Sequence, residues 1–207
     1  MPARAPAPAK TYDRRYFDRW YRRSWHAHFH AGTLARRVQL AVSAAEYVLE
    51  RPIRSVLDIG CGEGRWRPLL MRVRPHIRYQ GVDSSEYVVR RYGRRRNIRL
   101  GQFGDLGRMG LRRRFDLIVC SDVLHYVPLP EARRGLRAVA RLLRGVAFME
   151  LFTADDGSEG DDEGFVRRSR QTYLRLFRVA GLIHLGLHCY TGRGLRDRLV
   201  SLERGAT

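Results

Sequence analysis

The residues best suited to chemistry gather behind one short stretch, DIGCGEGRW, residues 58–66. An apolar run, 53–57, leads into Asp58, and glycines then recur at 60, 62 and 64. A strand that ends in a carboxylate and turns through glycines into a helix is a nucleotide-type binding bend. Glycine permits positive φ there and lets a ligand approach the backbone where a Cβ would intrude. Two phosphate-binding patterns fail on spacing. The dinucleotide pattern Gly-x-Gly-x-x-Gly has Arg65 at its last position. The Gly-Lys-Ser/Thr triplet of a phosphate-binding loop is absent. A ligand with a cationic end suits Asp58 better than a phosphate does.

Further acidic tips follow in order. GVDSS (81–85) carries Asp83, GQFGDLG (101–107) carries Asp105, and FDLIVCSDVLHYV (115–127) carries Ser121, Asp122, His125 and Tyr126. Together with VLDIGCGEG, these segments resemble class I S-adenosylmethionine-dependent methyltransferases of the small-molecule branch. The likeness runs from residue 53 to about 150, in order. It implies S-adenosylmethionine as cofactor, held by Asp58, Gly60, Cys61, Gly62 and Gly64 around its methionine end. By the same likeness Asp83 and Ser84 meet the ribose, Gly104, Asp105 and Leu106 meet the adenine, and Ser121 and Asp122 lie near the sulfonium. It also implies a seven-stranded sheet of order 3-2-1-4-5-7-6 with strand 7 antiparallel. For each aspartate the residues alone leave a plainer reading, a turn or helix cap.

The methyl of such a cofactor is already electrophilic, so the protein has to align an acceptor lone pair and remove its proton. His125 is the nearest candidate base, because imidazole titrates near neutrality. Tyr126 would shape the acceptor site. Asp122 and Glu150 could offer carboxylates to a metal, but Leu151 stands where metal-dependent O-methyltransferases tend to carry an Asp-Asn pair, and no metal is expected. The SDVL at 121–124 differs from the Asn/Asp-Pro-Pro-Tyr motifs that grip planar amino groups, and no Pro-Cys nucleophile is present. A small-molecule acceptor is therefore expected, methylated at O or N. The alternatives are an RNA or ribosome methyltransferase and an inactive binding domain.

The elements that must position these residues follow from periodicity. Short apolar strands at 53–59, 77–83, 97–102, 115–121 and 145–152 alternate with helices at about 65–74, 85–95 and 130–143. That alternation defines an α/β fold with a doubly wound, mostly parallel sheet. A further helix is expected at 165–180. The runs 183–190 and 196–203, linked by TGRG, read as an antiparallel hairpin. Residues 1–10 read as a disordered tail, 11–50 as N-terminal helices covering the active site, and 51–207 as the Rossmann-like domain. The first of those helices, 11–24 with Thr11 as cap, sets Tyr12, Tyr16, Trp20 and Tyr21 on one face as candidate acceptor walls. The second follows Thr33, over 34–50. The loop 155–163 is acidic and would latch onto Arg167 and Arg168.

Composition sets the outer bounds. The 207 residues carry a formal charge of +19, and Lys10 is the only lysine among 40 basic residues. The arginines are dispersed and do not interleave with aromatics as a base-stacking platform would, so nucleic acid is not the favoured partner. Cys61, Cys120 and Cys189 are too few and too far apart for a disulfide framework or a zinc site. With no signal peptide and no spanning helix, the expected setting is a bacterial cytoplasm.

Overall fold

The computed structural model describes residues 10–23, 25–157, 161 and 163–204; the tail assigned to 1–10 lies outside them except for Lys10. Seven strands form one sheet in the order β3-β2-β1-β4-β5-β7-β6. They are β1 Ser55–Ile59, β2 Arg78–Asp83, β3 Ile98–Leu100, β4 Phe115–Ser121, β5 Leu143–Glu150, β6 Leu182–Gly186 and β7 Cys189–Gly192. The first five are parallel to one another, and β7 runs antiparallel to both β5 and β6.

Side-chain alternation along β4 shows why both faces must be covered. Ile118 and Cys120 pack with Leu136 and Val139 of α5 (Leu129–Leu142) and with Tyr173 and Phe177 of α6 (Arg170–Ala180). Leu117 and Val119 point the other way, toward Val38, Ala41, Val42 and Ala45 of α2 (Trp25–Leu49) and toward Trp66 and Leu70 of α3 (Trp66–Val73). A strand buried on both faces reads as a continuous apolar run, as LIVC (117–120) does after Asp116, whose buried carboxylate is paired with Arg51.

Local chemistry sets several boundaries away from their expected places. The first helix starts at Arg14, not after Thr11, because Asp13 caps it and accepts from Tyr16 N at 2.9 Å. Its α-helical part, α1, covers only Arg14–Phe17 and passes into a π-helical segment, Asp18–Arg23. Helix α2 begins at Trp25, well before Thr33. Helix α6 begins at Arg170 rather than near 165, where Ser169 caps Thr172 N. Glu86–Arg96 forms α4, capped by Ser85 at its start and closed by left-handed Asn97.

The expected hairpin is misplaced as well. Residues 183–190 are not one strand: the chain reverses at Leu187 and His188, both with positive φ (47° and 66°). That two-residue turn joins β6 to β7 without the Asn-Gly signature that marks such turns in sequence. Residues 196–203, expected as the return strand, form 3-10 turns, Arg193–Arg198 and Ser201–Glu203.

Among the described residues, no helix is long and apolar enough to cross a membrane.

Candidate active site

In the order 3-2-1-4-5-7-6 the chain changes direction between β1 and β4, and ligands of doubly wound sheets bind in the crevice beyond the strand ends at such a switch point. Register brings the tips together. Ile59 lies between Val82 and Cys120, Asp83 pairs with Leu100, and Ser121 pairs with Glu150.

The bend after β1 is left-handed at Gly60, Gly62 and Gly64. Gly60 N and Cys61 N both donate to Val82 O, at 2.8 and 3.2 Å. Gly62 N donates to one Asp83 carboxylate oxygen at 2.7 Å, and Ser85 N donates to the other at 2.8 Å. Asp83 thus clamps the glycine bend to the tip of β2, and each oxygen keeps a lone pair for a further donor. Helix α4 is capped by Ser85, not by Asp83.

Asp58 is buried and accepts from Tyr79 Oη at 2.7 Å. Burial, with a smaller push from Asp83, lifts its carboxyl from 3.8 to about 7 against the pull of the Tyr79 bond. Asp105 is half-buried at the start of the β3–β4 connection. Its carboxylate has no hydrogen-bond partner among the described residues, which leaves it free to accept. Ser84 is exposed beside Asp83, Gly104 is packed beneath Glu131, and Leu106 belongs to the core. Cys61 is buried against Gly81, so only its backbone can meet a ligand.

At the tip of β4, Ser121 donates to Glu150, which pairs with Arg37 of α2 at 2.7 Å. Asp122 follows in a left-handed conformation at the exposed rim. Burial first, then Glu150, raises its carboxyl to about 6; because the residue is exposed, water weakens that shift.

The crevice is roofed by the chain's own aromatic segment. A methyl group on Gly62 would meet the Tyr21 hydroxyl at 2.5 Å, and one on Gly60 would meet Val123 Cγ2 at 2.2 Å. Phe17 packs with Cys61, Val88 and Ile98, with Tyr12, Tyr16 and Tyr21 against that cluster. Tyr12 is anchored at the tip of β2 through its carbonyl, which accepts from Ser85 Oγ at 2.5 Å.

His125 and Tyr126 stand together in the β4–α5 loop. His125 is only 2% exposed, stacks on Phe165 with centroids 5.0 Å apart, and accepts from Phe152 N at its Nδ1, 3.3 Å away. That bond assigns the proton to Nε2 in the neutral ring. Burial, reinforced by Lys10, lowers the imidazole from 6.5 to about 4, so it is neutral at pH 7. In this arrangement Nδ1 is occupied by the Phe152 amide and Nε2 carries the proton, so the neutral ring holds no free lone pair. Tyr126 Oη donates to Asp161 O at 2.7 Å.

Among the described residues, the latch expected between the acidic loop and two arginines does not form as drawn. Arg168 is buried and donates to Leu124 O, Val127 O and Tyr173 Oη, bracing the loop that carries His125. Arg167 lies exposed over the Phe165 ring. The acidic loop is tied instead by Asp161 to Lys10 and by Asp155 to Arg170 N. Its residues 158–160 and 162 lie outside the described residues. Sequence reasoning missed Tyr79, Val123, Arg37 and Lys10 as parts of the site. For Tyr79 a signal existed: an alternating strand sets residues 79 and 81 on one face beside the bend.

The profile of the methyltransferase domain family matches residues 14–200. The chain belongs to this family, a class of Rossmann-like enzymes that take their methyl group from S-adenosylmethionine. No curated protein matches it. Among solved structures, the sugar N-methyltransferase KedS8 from Streptoalloteichus sp ATCC 53650 superposes with TM-score 0.64 at 18% identity, over 93% of this chain and 94% of that one. The plantazolicin methyltransferase BamL, in complex with a triazolic desmethylPZN analog and SAH, gives 0.60 at 15% identity over 83% and 75%. DesVI from Streptomyces venezuelae gives 0.58 at 17% over 80% and 95%.

Proposed function

We propose that this enzyme methylates a nitrogen or oxygen of a small molecule at the crevice beyond β1, β2 and β4. The observation that carries the reading is the left-handed glycine bend at the switch point of the sheet, with Asp58 at the end of β1 and Asp83 clamped to Gly62 at the tip of β2. The names of KedS8, a sugar N-methyltransferase, and BamL, a plantazolicin methyltransferase, support a small-molecule acceptor.

The residues present suit the cofactor. Asp83 keeps a lone pair on each oxygen for the vicinal ribose hydroxyls, with Ser84 beside it. Asp105 accepts from the adenine amino group, with the backbone of Gly104 and Leu106 on either side of it. Asp58, the backbone of 60–64 and the rim residues Ser121 and Asp122 receive the methionine end and its cationic groups. When bound, S-adenosylmethionine supplies an electrophilic methyl on sulfur. Tyr21 has to move away from Gly62 as the ligand enters, so the aromatic segment acts as a cover. Tyr126 lines the acceptor side. His125 orients the acceptor through its Nε2 proton, its ring fixed by Phe165 and by the Phe152 amide. The free, buried Cys61, Cys120 and Cys189 suit a reducing compartment and hence the cytoplasm.

Asp83→Ala tests the assignment. Losing the ribose acceptor and the clamp on Gly62 should weaken S-adenosylhomocysteine about 200-fold by calorimetry, as expected for two charge-assisted hydrogen bonds at about 1.5 kcal/mol each. Unchanged affinity would remove Asp83 from the cofactor site.

A further inference from the structure

The Lys10 side chain is set against three tyrosine rings, whereas each cation-π contact of an arginine among the described residues is to a single ring. Its ammonium sits over the Tyr126 ring, 4.2 Å from the centroid, with the Tyr16 and Tyr12 centroids at 5.3 and 5.4 Å. It pairs with the Asp161 carboxylate and donates to Glu163 O at 2.9 Å. The side chains of Lys10 and Asp161 are only 10% and 13% exposed. Three aromatic faces and one carboxylate around a desolvated cation form an ammonium-recognition site.

The cage belongs to the catalytic end of the fold. Tyr12 is bonded to Ser85, two residues beyond Asp83. Tyr126 lies five residues past Ser121, with its ring in edge contact with His125. Phe17 and Tyr21 continue the same aromatic segment to the glycine bend. The cation held there is the only lysine among 40 basic residues. A compact ammonium fits between three closely set rings, where a planar guanidinium has a different shape and hydrogen-bond geometry.

We propose that this cage is the acceptor subsite, that the acceptor is an amine, and that Lys10 occupies the subsite as an internal stand-in until the substrate displaces it. The proposal rests on the methyl-transfer reading above and narrows it to nitrogen. The acceptor ammonium yields one proton through Asp161 to water, and its lone pair forms the new N–C bond. The donor's S–C bond breaks with the electron pair left on sulfur. Each added methyl keeps the protonated product a cation, and the rings favour it by the attraction that holds Lys10.

The test uses full-length protein, Lys10→Ala, and Lys10→Ala with Asp161→Asn, each first titrated with S-adenosylhomocysteine. The saturated proteins are then titrated with choline, a trimethylammonium probe, and with its neutral isostere 3,3-dimethyl-1-butanol. Choline should bind Lys10→Ala about tenfold more tightly than wild type, since no internal cation competes. Asp161→Asn should reverse most of that gain, and the neutral alcohol should bind none of the three. Equal choline affinity in wild type and Lys10→Ala would overturn the stand-in role. Equal binding of choline and the alcohol would overturn ammonium recognition. Either result beside intact S-adenosylhomocysteine binding leaves the methyltransferase reading standing. Loss of S-adenosylhomocysteine binding in wild type overturns both.

Discussion

Gly62→Ala should weaken S-adenosylhomocysteine on the order of a thousandfold, about 4 kcal/mol. Two penalties meet at this position. The backbone holds φ near 51°, where an L side chain costs roughly 1–2 kcal/mol. The added methyl would project into the crevice, at 2.5 Å from the present Tyr21 hydroxyl. Tyr21 can swing aside, but the methyl stays on the floor where a ligand has to lie against the backbone. It also strains the turn whose amide is clamped to Asp83. Gly181→Ala separates strain from binding. Gly181 closes α6 at φ 88°, away from the strand tips, with its nearest neighbours at ordinary contact distance. Both variants should lose comparable stability in denaturant, and only Gly62→Ala should lose the ligand. Equal affinity in the two variants would detach the bend from binding.

Asp58→Asn should reshape the pH dependence of stability. With its carboxyl raised from 3.8 to about 7, chiefly by burial, the folded protein holds the Asp58 proton more tightly than the unfolded chain does. Its contribution is therefore fully present below about pH 4 and is lost as pH rises toward 7. His125 works in the opposite direction: lowered from 6.5 to about 4, it contributes stability above 6.5 that fades as pH falls. The two slopes oppose each other in wild type, so the difference between wild type and variant is the informative quantity. Asparagine still accepts from Tyr79 and does not titrate. Relative to wild type, Asp58→Asn should gain up to ~4 kcal/mol between pH 4 and pH 8 in urea unfolding. A flat difference would mean that Asp58 ionises normally in the fold.

The central sheet was legible in the sequence because its strands are buried on both faces. Leu117 to Cys120 has no solvated side to interrupt the apolar run, and the glycines after Asp58 mark the turn that follows β1. What escaped depended on tertiary context. Leu187 and His188 adopt left-handed conformations that their side chains do not announce, so the last hairpin was placed too late. Asp13 caps α1 in place of Thr11, and by residue type either side chain could serve. The candidate carboxylates could be named from the family resemblance and their order along the chain. Their partners could not: Tyr79 for Asp58, Arg37 for Glu150 and the roof of Tyr21 come from distant segments. The acidic loop looked ready to meet arginines, yet Asp161 found the single lysine and Arg168 went into the core.

Calorimetric titration of S-adenosylhomocysteine into the wild-type protein bears most directly on the crevice. Saturable one-to-one binding is expected, with no heat from a nicotinamide dinucleotide or ATP. No binding of S-adenosylhomocysteine, or preferential binding of either nucleotide, would contradict a cofactor site built on the glycine bend.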